Sequence, residues 1–212
     1  MRLYLSSYKL GNKPEELVAL AGDGRRAAVI LNALDNYSET RNRFLASQIA
    51  DLAKLGFAAE ELDLRKYFGR PEELKKILDE KDLVWINGGN TFVLRRAMKQ
   101  SGFDRLITER VKEDSIVYAG FSAAVCAVTS DLHGLEITDD PNEVPSGYEP
   151  EILWDGLGFI DFAVAVHYKS DHPESHLTDK EVEYYQANHI PYKTLKDGQA
   201  LIKQGDEIRI VG

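Results

Sequence analysis

The stretch Ser115-Ile-Val-Tyr-Ala-Gly-Phe-Ser-Ala-Ala-Val-Cys126 joins an apolar, β-branched run to a train of small residues. The run predicts a buried strand, and the small residues after Ser122 can open a helix. A sharp strand-to-helix turn at Gly-x-Ser lifts the serine hydroxyl out of the sheet edge and leaves the next backbone N–H free for a developing oxyanion. Ser122 is therefore a candidate nucleophile. The full G-x-S-x-G pattern ends here in Ala124 instead of glycine, and a serine at this position is also compatible with a simple helix N-cap.

Composition limits the classes of partner. The chain has 212 residues, 43% of them hydrophobic and 29% charged, which predicts a single globular domain over residues 1–212. Its net charge of -9, spread along the chain, argues against nucleic acid or an anionic membrane as the partner. The lone Cys126 excludes an internal disulfide and a cysteine-based zinc cluster. No apolar run has the length of a signal peptide or a membrane span, so we expect a cytoplasmic protein.

Apolar runs alternate with helix-type segments over the first two thirds of the chain. Runs that predict strands lie at residues 3–5, 27–31, 62–64, 83–86 and 116–121. Segments that predict helices lie at 13–17, 40–55, 71–78, after residue 90, and at 104–112. This alternation predicts an α/β fold with a mainly parallel sheet and helices on both faces.

The last third follows a looser pattern. Residues 131–156 are rich in Asp, Glu, Gly and Pro and predict a long functional loop. A strong strand is predicted at 159–168 and a helix at 178–188. Two apolar runs at 200–203 and 208–211, joined through Gly205-Asp206, predict a closing β-hairpin.

The segment Asn87-Gly-Gly-Asn-Thr-Phe92 follows the predicted strand 83–86 and precedes a helix. In an open parallel sheet, ligands gather at the carboxyl ends of the strands. Both this segment and Ser122 are predicted to lie there, so we expect them to share a site.

Two adjacent glycines, Gly88 and Gly89, allow the backbone to approach a ligand closely. The N–H groups of Gly89 and Ala123 are therefore the predicted oxyanion donors. The alternative is an ordinary turn in which Asn90 or Thr91 caps the following helix. A phosphate-binding loop is disfavoured because no lysine follows at the required position.

His167 ends the predicted strand 159–168, where a base could take the proton of Ser122. The alternative is an ordinary surface or hydrogen-bonded core histidine. His172 and His176 follow His167 on a polar loop. A metal site at these three histidines is disfavoured, because their spacing lacks the i, i+4 helical pair of the familiar zinc sites.

An acid that orients His167 could come from Asp139 or Asp140, which lie in Ile-Thr-Asp-Asp-Pro. The alternative for this segment is an Asx-type turn before proline. Cys126 lies one helical turn beyond Ser122, and we expect it to be a small buried residue and not a nucleophile.

Three motifs occur together in this order: Gly88-Gly-Asn-Thr-Phe92, Gly120-Phe-Ser-Ala123, and Val166-His-Tyr168 followed by Pro173-Glu174. The combination resembles the dipeptidase E (alpha-aspartyl dipeptidase) family, whose relatives include cyanophycinase. The order of segments is similar from the first strand to the region after the histidine.

The resemblance implies a fold like the class I glutamine amidotransferases (flavodoxin-like) and a serine peptidase that acts on short peptides, with no cofactor and no metal. The sequence leaves the choice between a monomer and a homodimer open. Ser122 would be the nucleophile, His167 the general base and Asp140 the acid. The resemblance places oxyanion and substrate contacts at Gly88, Gly89, Asn90 and Ala123. Other carboxylates that could serve as the acid are Asp139, Glu136 and Glu174.

Three departures from the family pattern bear on function. Ala124 replaces a glycine at the crowded turn, and the stretch from Ser122 to Asp140 is longer than in the family. Residues 172–181 also lack the arginine that aspartyl-preferring members carry, so no bidentate clamp for a substrate carboxylate is evident there. An esterase or amidase, a non-catalytic small-molecule binder and a thiol enzyme using Cys126 are the alternative functions.

Overall fold

The chain forms a central sheet of seven strands flanked by helices, and a separate sheet of two strands. The structure is a computed structural model, and it describes all 212 residues. The strands, in chain order, are β1 (Arg2–Ser6), β2 (Arg26–Ile30), β3 (Ala58–Glu61), β4 (Leu83–Ile86), β5 (Val117–Phe121), β6 (Ala163–Ala165), β7 (Tyr192–Thr194), β8 (Ala200–Gln204) and β9 (Glu207–Val211). The α-helices are α1 (Glu15–Ala21), α2 (Ser38–Lys54), α3 (Pro71–Leu78), α4 (Thr91–Ser101), α5 (Phe103–Lys112), α6 (Ala123–Cys126) and α7 (Ser175–Ala187).

The central sheet has the order β3-β2-β4-β5-β1-β8-β9. Its first five strands are parallel, and β8 and β9 add to β1 as an antiparallel hairpin. All four residues of β4 are buried, as expected for a strand covered on both faces. The predicted mainly parallel α/β fold with a C-terminal hairpin is confirmed.

Helices cover both faces of the sheet. Val84 and Ile86 of β4 point into a core cluster of 37 buried residues, which also receives side chains of α3, α4 and α5. Leu83 and Trp85 point the opposite way, into a cluster of 16 residues that includes side chains of α1 and α2. The alternation along one strand thus separates the two halves of the core.

The strand predicted at residues 62–64 is wrong. The observed strand is β3, which ends at Glu61, and a 3₁₀ turn follows at Leu64–Tyr67. Asp63 begins that turn, because its Oδ1 accepts a hydrogen bond from Arg65 N at 3.1 Å. β3 lies at the sheet edge, pairs only with β2 and has no buried residue, so it lacks the apolar run that marks the inner strands.

The strand predicted at residues 159–168 is also largely wrong, because only β6 is extended there, and it lies outside the central sheet. β6 pairs in parallel with β7, and this small sheet packs on α7 through a cluster of four buried residues, Ala163, Ala165, Val182 and Tyr185. His167 therefore follows a strand of the small sheet and not a strand of the central one.

Two predictions for the last third hold. Residues 131–156 form an irregular excursion whose only helical piece is a 3₁₀ turn at Leu135–Ile137. The predicted helix at 178–188 corresponds to α7, which begins three residues earlier than expected. None of the helices combines the length and apolar character that crossing a membrane requires.

Candidate active site

The turn at Ser122 has the geometry that the sequence predicts. β5 ends at Phe121, α6 begins at Ala123, and Ser122 between them has φ 52° and ψ -112°. A non-glycine residue adopts such a conformation only where its surroundings enforce it, and such strain often marks functional sites. A Cβ atom on Gly120 would lie 2.2 Å from the carbonyl oxygen of Ile86, so only glycine fits before the turn.

The glycine pair after β4 lies directly beside this serine. A Cβ atom on Gly88 would be 2.8 Å from Cβ of Ser122. Gly89 has φ 135°, and a Cβ there would lie 2.5 Å from the carbonyl oxygen of Ala33. The N–H groups of Gly88 and Gly89 donate to no backbone carbonyl, and Ala123 N–H, the first of α6, has no acceptor within its helix. These N–H groups are available to an oxyanion.

Asn90 has a different position from the one predicted. It is the N-cap of α4, since its Oδ1 accepts hydrogen bonds from Phe92 N at 2.9 Å and Val93 N at 3.0 Å. Its Nδ2 donates to the carbonyl oxygen of Asp140 at 2.9 Å. Asn90 does not line the pocket at Ser122, and its contacts match the alternative interpretation, a cap of the following helix.

His167 is buried, and its Nδ1 lies 2.7 Å from Oδ1 of Asp197. The small sheet explains this pairing, because β6 and β7 run parallel with Ala165 opposite Thr194. Residues that follow the two strands therefore emerge at the same end. Leu195 N donates to Ala165 O at 2.9 Å and extends the pairing toward the histidine.

The predicted acid, Asp140, does not contact His167. Oδ1 of Asp140 accepts from Asn142 N at 2.9 Å, in the Asx turn that was the alternative interpretation. Asp139 accepts from Thr91 N at 2.7 Å, and Glu136 accepts from Gly134 N at 2.6 Å. The assignment of Asp140 is thus corrected, and Asp197 is the carboxylate that meets the histidine.

Ser7, which the sequence did not single out, joins the histidine to the acid. It directly follows β1 and is fully buried. Its Oγ donates to Oδ1 of Asp197 at 2.8 Å and accepts from the backbone N–H of His167 at 2.8 Å. A buried serine after a strand carries no distinctive sequence signal, and this explains why it was missed.

Ser122 and His167 line one pocket of about 160 Å³. The lining residues are Tyr8, Leu34, Phe44, Asn87, Gly88, Gly89, Phe121, Ser122, His167, His172 and Glu174. No direct hydrogen bond joins the serine hydroxyl to the imidazole, a contact that is often long in enzymes without substrate. The pocket nevertheless brings a strained serine, a buried histidine with its carboxylate, and free N–H groups together.

Comparison with known proteins identifies the family of this chain. The model of peptidase family S51 matches residues 15–211. The chain belongs to peptidase family S51. It is a peptidase of the serine type, and the resemblance to the dipeptidase E family is confirmed.

Individual relatives of this S51 peptidase are distant in sequence. It is 28% identical over 160 residues to the uncharacterized peptidase Lmo0363 of Listeria monocytogenes, covering 74% of this chain and 72% of that protein. It is 26% identical over 221 residues to peptidase E of Shewanella denitrificans, covering 99% and 87%. A crystal structure of a candidate peptidase E from Listeria monocytogenes EGD-e has the same fold, with a TM-score of 0.81, 23% identity and coverage of 99% and 97%.

The surroundings of His167 in this S51 peptidase favour the neutral form of its imidazole. Burial lowers the pKa of His167, the hydrogen bond that its Nδ1–H donates to Asp197 opposes that shift, and the charge of His172 lowers the pKa further. The rings of His167 and His172 are stacked, with centroids 3.7 Å apart and planes 6° apart. A neutral imidazole can accept a proton, so the environment of His167 suits a general base.

His167, His172 and Glu174 are also the group closest to a metal site, with ligand atoms within 4.8 Å of one another. His176, which the sequence grouped with the two histidines, is not part of it, since its Nδ1 donates to Pro173 O at 2.9 Å. A ring nitrogen binds a metal in the plane of its ring, and two stacked, nearly parallel rings share no such plane. The arrangement therefore fits ring stacking and not shared metal coordination.

Cys126 lies on α6 and is buried. Burial raises the pKa of its thiol well above the usual value. Because the thiolate is the reactive form, this environment suits a structural cysteine. The thiol-enzyme alternative has no support in the S51 site.

A larger groove of about 640 Å³ lies elsewhere on this S51 peptidase, next to α4 and α5. Its buried Arg95 is paired with Asp104 at 3.8 Å and with Asp155 at 3.5 Å. The groove contains none of the candidate catalytic residues and has one hydrophobic lining residue. The smaller pocket at Ser122 is therefore the candidate active site.

Proposed function

We propose that this S51 peptidase hydrolyses short peptides with a catalytic triad of Ser122, His167 and Asp197. The observation that carries the proposal is the chain of contacts from Asp197 to His167 in the pocket that also holds the strained Ser122. An acid that contacts the base, and a base that shares a pocket with the nucleophile, are the arrangement that a serine hydrolase requires.

In the proposed reaction, Ser122 Oγ attacks the peptide carbonyl carbon while Nε2 of His167 accepts the hydroxyl proton. His167 then passes that proton to the leaving amine, and a water molecule deprotonated by the same imidazole hydrolyses the acyl-enzyme. Asp197 accepts the hydrogen bond of Nδ1–H, which fixes the tautomer and stabilises the imidazolium. The N–H groups of Gly89 and Ala123 stabilise the tetrahedral oxyanion.

The size of the pocket supports short substrates. Its volume of about 160 Å³ is below the roughly 300–1,000 Å³ of pockets that enclose drug-sized ligands. It suits the residue on the amino side of the scissile bond and little more. A dipeptide or a comparably small peptide is accordingly the proposed substrate.

The test is Ser122→Ala, with Ser130→Ala as a control because Ser130 is exposed and outside the pocket. Ser122→Ala should lower kcat for short peptides by roughly 10⁴-fold or more and abolish labelling by a fluorophosphonate, with an unchanged circular dichroism spectrum. The control should behave as wild type. Peptide hydrolysis at the wild-type rate in Ser122→Ala would show that another residue is the nucleophile.

A further inference from the structure

The ionisable side chains that line the pocket are one carboxylate, Glu174, two histidines and Tyr8, with no lysine or arginine among them. Lys9 follows the pocket residue Tyr8, but its Nζ lies over the tyrosine ring, 5.0 Å from the centroid, and the residue is not part of the lining. A peptidase that selects an N-terminal aspartate has to neutralise the substrate carboxylate. This pocket offers no arginine or lysine for that purpose.

Glu174 instead adds negative charge beside the candidate base. Its Oε2 lies 4.0 Å from Nδ1 of His172, and its carboxylate belongs to the group whose ligand atoms lie within 4.8 Å of one another. No arginine or lysine forms a salt bridge with Glu174, and His172 is its single charged partner. The carboxylate is therefore not neutralised by a lysine or an arginine, and its half-exposed oxygens can accept a cation.

The α-ammonium of a peptide substrate would bring such a cation to this place. It is separated by one carbon atom from the carbonyl that Ser122 attacks, so it must enter the same small pocket. An aspartate side chain in the same pocket would bring a second carboxylate near Glu174 with no cation to offset it, and this like-charge contact disfavours aspartyl peptides.

Part of the pocket lining is apolar. It is formed by Leu34, by Phe44 of α2 and by Phe121, which packs edge-on against Tyr8 with ring centroids 5.9 Å apart. An apolar or aromatic substrate side chain would bury its surface against these residues, whereas a charged side chain would lose its hydration without gaining a partner.

We propose that the pocket selects peptides whose first residue has an apolar or aromatic side chain, packed against Leu34, Phe44 and Phe121, and a free ammonium group bound by Glu174, in preference to aspartyl peptides. This inference rests on the proposed serine peptidase function, and it names the substrate class of the same site.

The experiment compares kcat/KM for Leu-Ala, Asp-Ala and N-acetyl-Leu-Ala. Wild type should hydrolyse Leu-Ala at least about tenfold more efficiently than either of the other two. Glu174→Gln should lower kcat/KM for Leu-Ala by roughly tenfold, mainly by raising KM. The ratio of kcat/KM for Leu-Ala to kcat/KM for either of the other peptides should therefore become smaller. Glu183→Gln is the matched control, because Glu183 is an exposed residue of α7 outside the pocket, and it should leave the ratios unchanged.

Two results would overturn the inference. One is a wild-type preference for Asp-Ala over Leu-Ala. The other is an equal loss for Leu-Ala and N-acetyl-Leu-Ala in Glu174→Gln, which would mean that the carboxylate does not recognise the ammonium. If Ser122 still reacts with a fluorophosphonate in either case, the proposed peptidase function stands and only the substrate class is wrong. If no peptide is cleaved and Ser122 is not labelled, both proposals fail.

Discussion

Asp197 and Asp140 have very different surroundings, and only Asp197 contacts His167. Asp197 accepts the Nδ1 hydrogen bond at 2.7 Å, whereas the side chain of Asp140 closes a local turn with Asn142. Asp197→Asn should lower kcat by roughly 10²–10⁴-fold, because an amide stabilises the wrong tautomer of the imidazole. Asp140→Asn keeps the size of the side chain and should retain most of the activity. Steady-state kinetics of the two variants would decide, and an equal loss in both would contradict the assignment of Asp197.

His172 should affect the pH at which His167 becomes a competent base. The charged or titratable groups facing His167 are Tyr8, Asp197, His172 and Glu174, and protonated His172 lowers the pKa of His167. A lowered pKa keeps the imidazole neutral, and therefore active, down to lower pH. His172→Phe retains a flat ring over His167 but removes the charge, so the acid limb of kcat/KM should move to higher pH.

The control for this variant is His176→Phe, since His176 is exposed and lies outside the pocket. Its acid limb should coincide with that of wild type. An acid limb in His172→Phe that stays in place or moves to lower pH would show that the charge of His172 does not act on the base.

At the scale of the secondary-structure elements, the turn between β5 and α6 tolerates the alanine that departs from the family pattern. A Cβ atom on Gly120 would lie 2.6 Å from Cβ of Ala124. Because Gly120 has no Cβ atom, there is room for the methyl group of Ala124, which is fully buried. The carbonyl oxygen of Ala124 also accepts a hydrogen bond from Tyr118 Oη at 2.9 Å. The alanine therefore packs as part of the core behind the serine and does not distort the turn.

The inner strands are predicted well because their residues are buried on both sides. β4 and β5 are continuous apolar runs, so their positions, and with them the shared edge that holds Gly89 and Ser122, follow from hydrophobicity alone. β6 and β7 have three residues each, and β7 has no buried residue. Such short strands have no detectable period.

Asp197 could not be predicted as the partner of His167, because the pairing of β6 with β7 could not be predicted. Asp197 precedes Gly198, a dipeptide that is typical of a turn, and nothing local relates it to a histidine 30 residues earlier. Only the parallel pairing of β6 with β7 brings the two together. His167 was recognised because it follows an apolar run, although that run belongs to the small sheet.

At the scale of the whole molecule, the two sheets divide the site between them. The central sheet carries Ser122 and the glycine pair, whereas the small sheet with α7 carries His167, Asp197 and Glu174. Catalysis requires the two sheets to hold a fixed relative position to within a fraction of an ångström. Ser7 is a direct connection, because it continues β1 of the central sheet and hydrogen-bonds both His167 and Asp197.

Ser7→Ala should therefore reduce kcat by roughly 10-fold to 100-fold with little change in KM, because the imidazole and its carboxylate lose a shared anchor to the central sheet. It should also cost about 1–3 kcal/mol of unfolding free energy, since the buried N–H of His167 loses its acceptor. Ser6→Ala is the matched control. Ser6 is the neighbouring, equally buried serine, and its Oγ donates to Tyr8 O at 3.3 Å without touching the histidine or the acid. Urea unfolding and steady-state kinetics separate the two effects: a comparable loss of kcat in both variants would mean that Ser7 supports the fold and does not position the base.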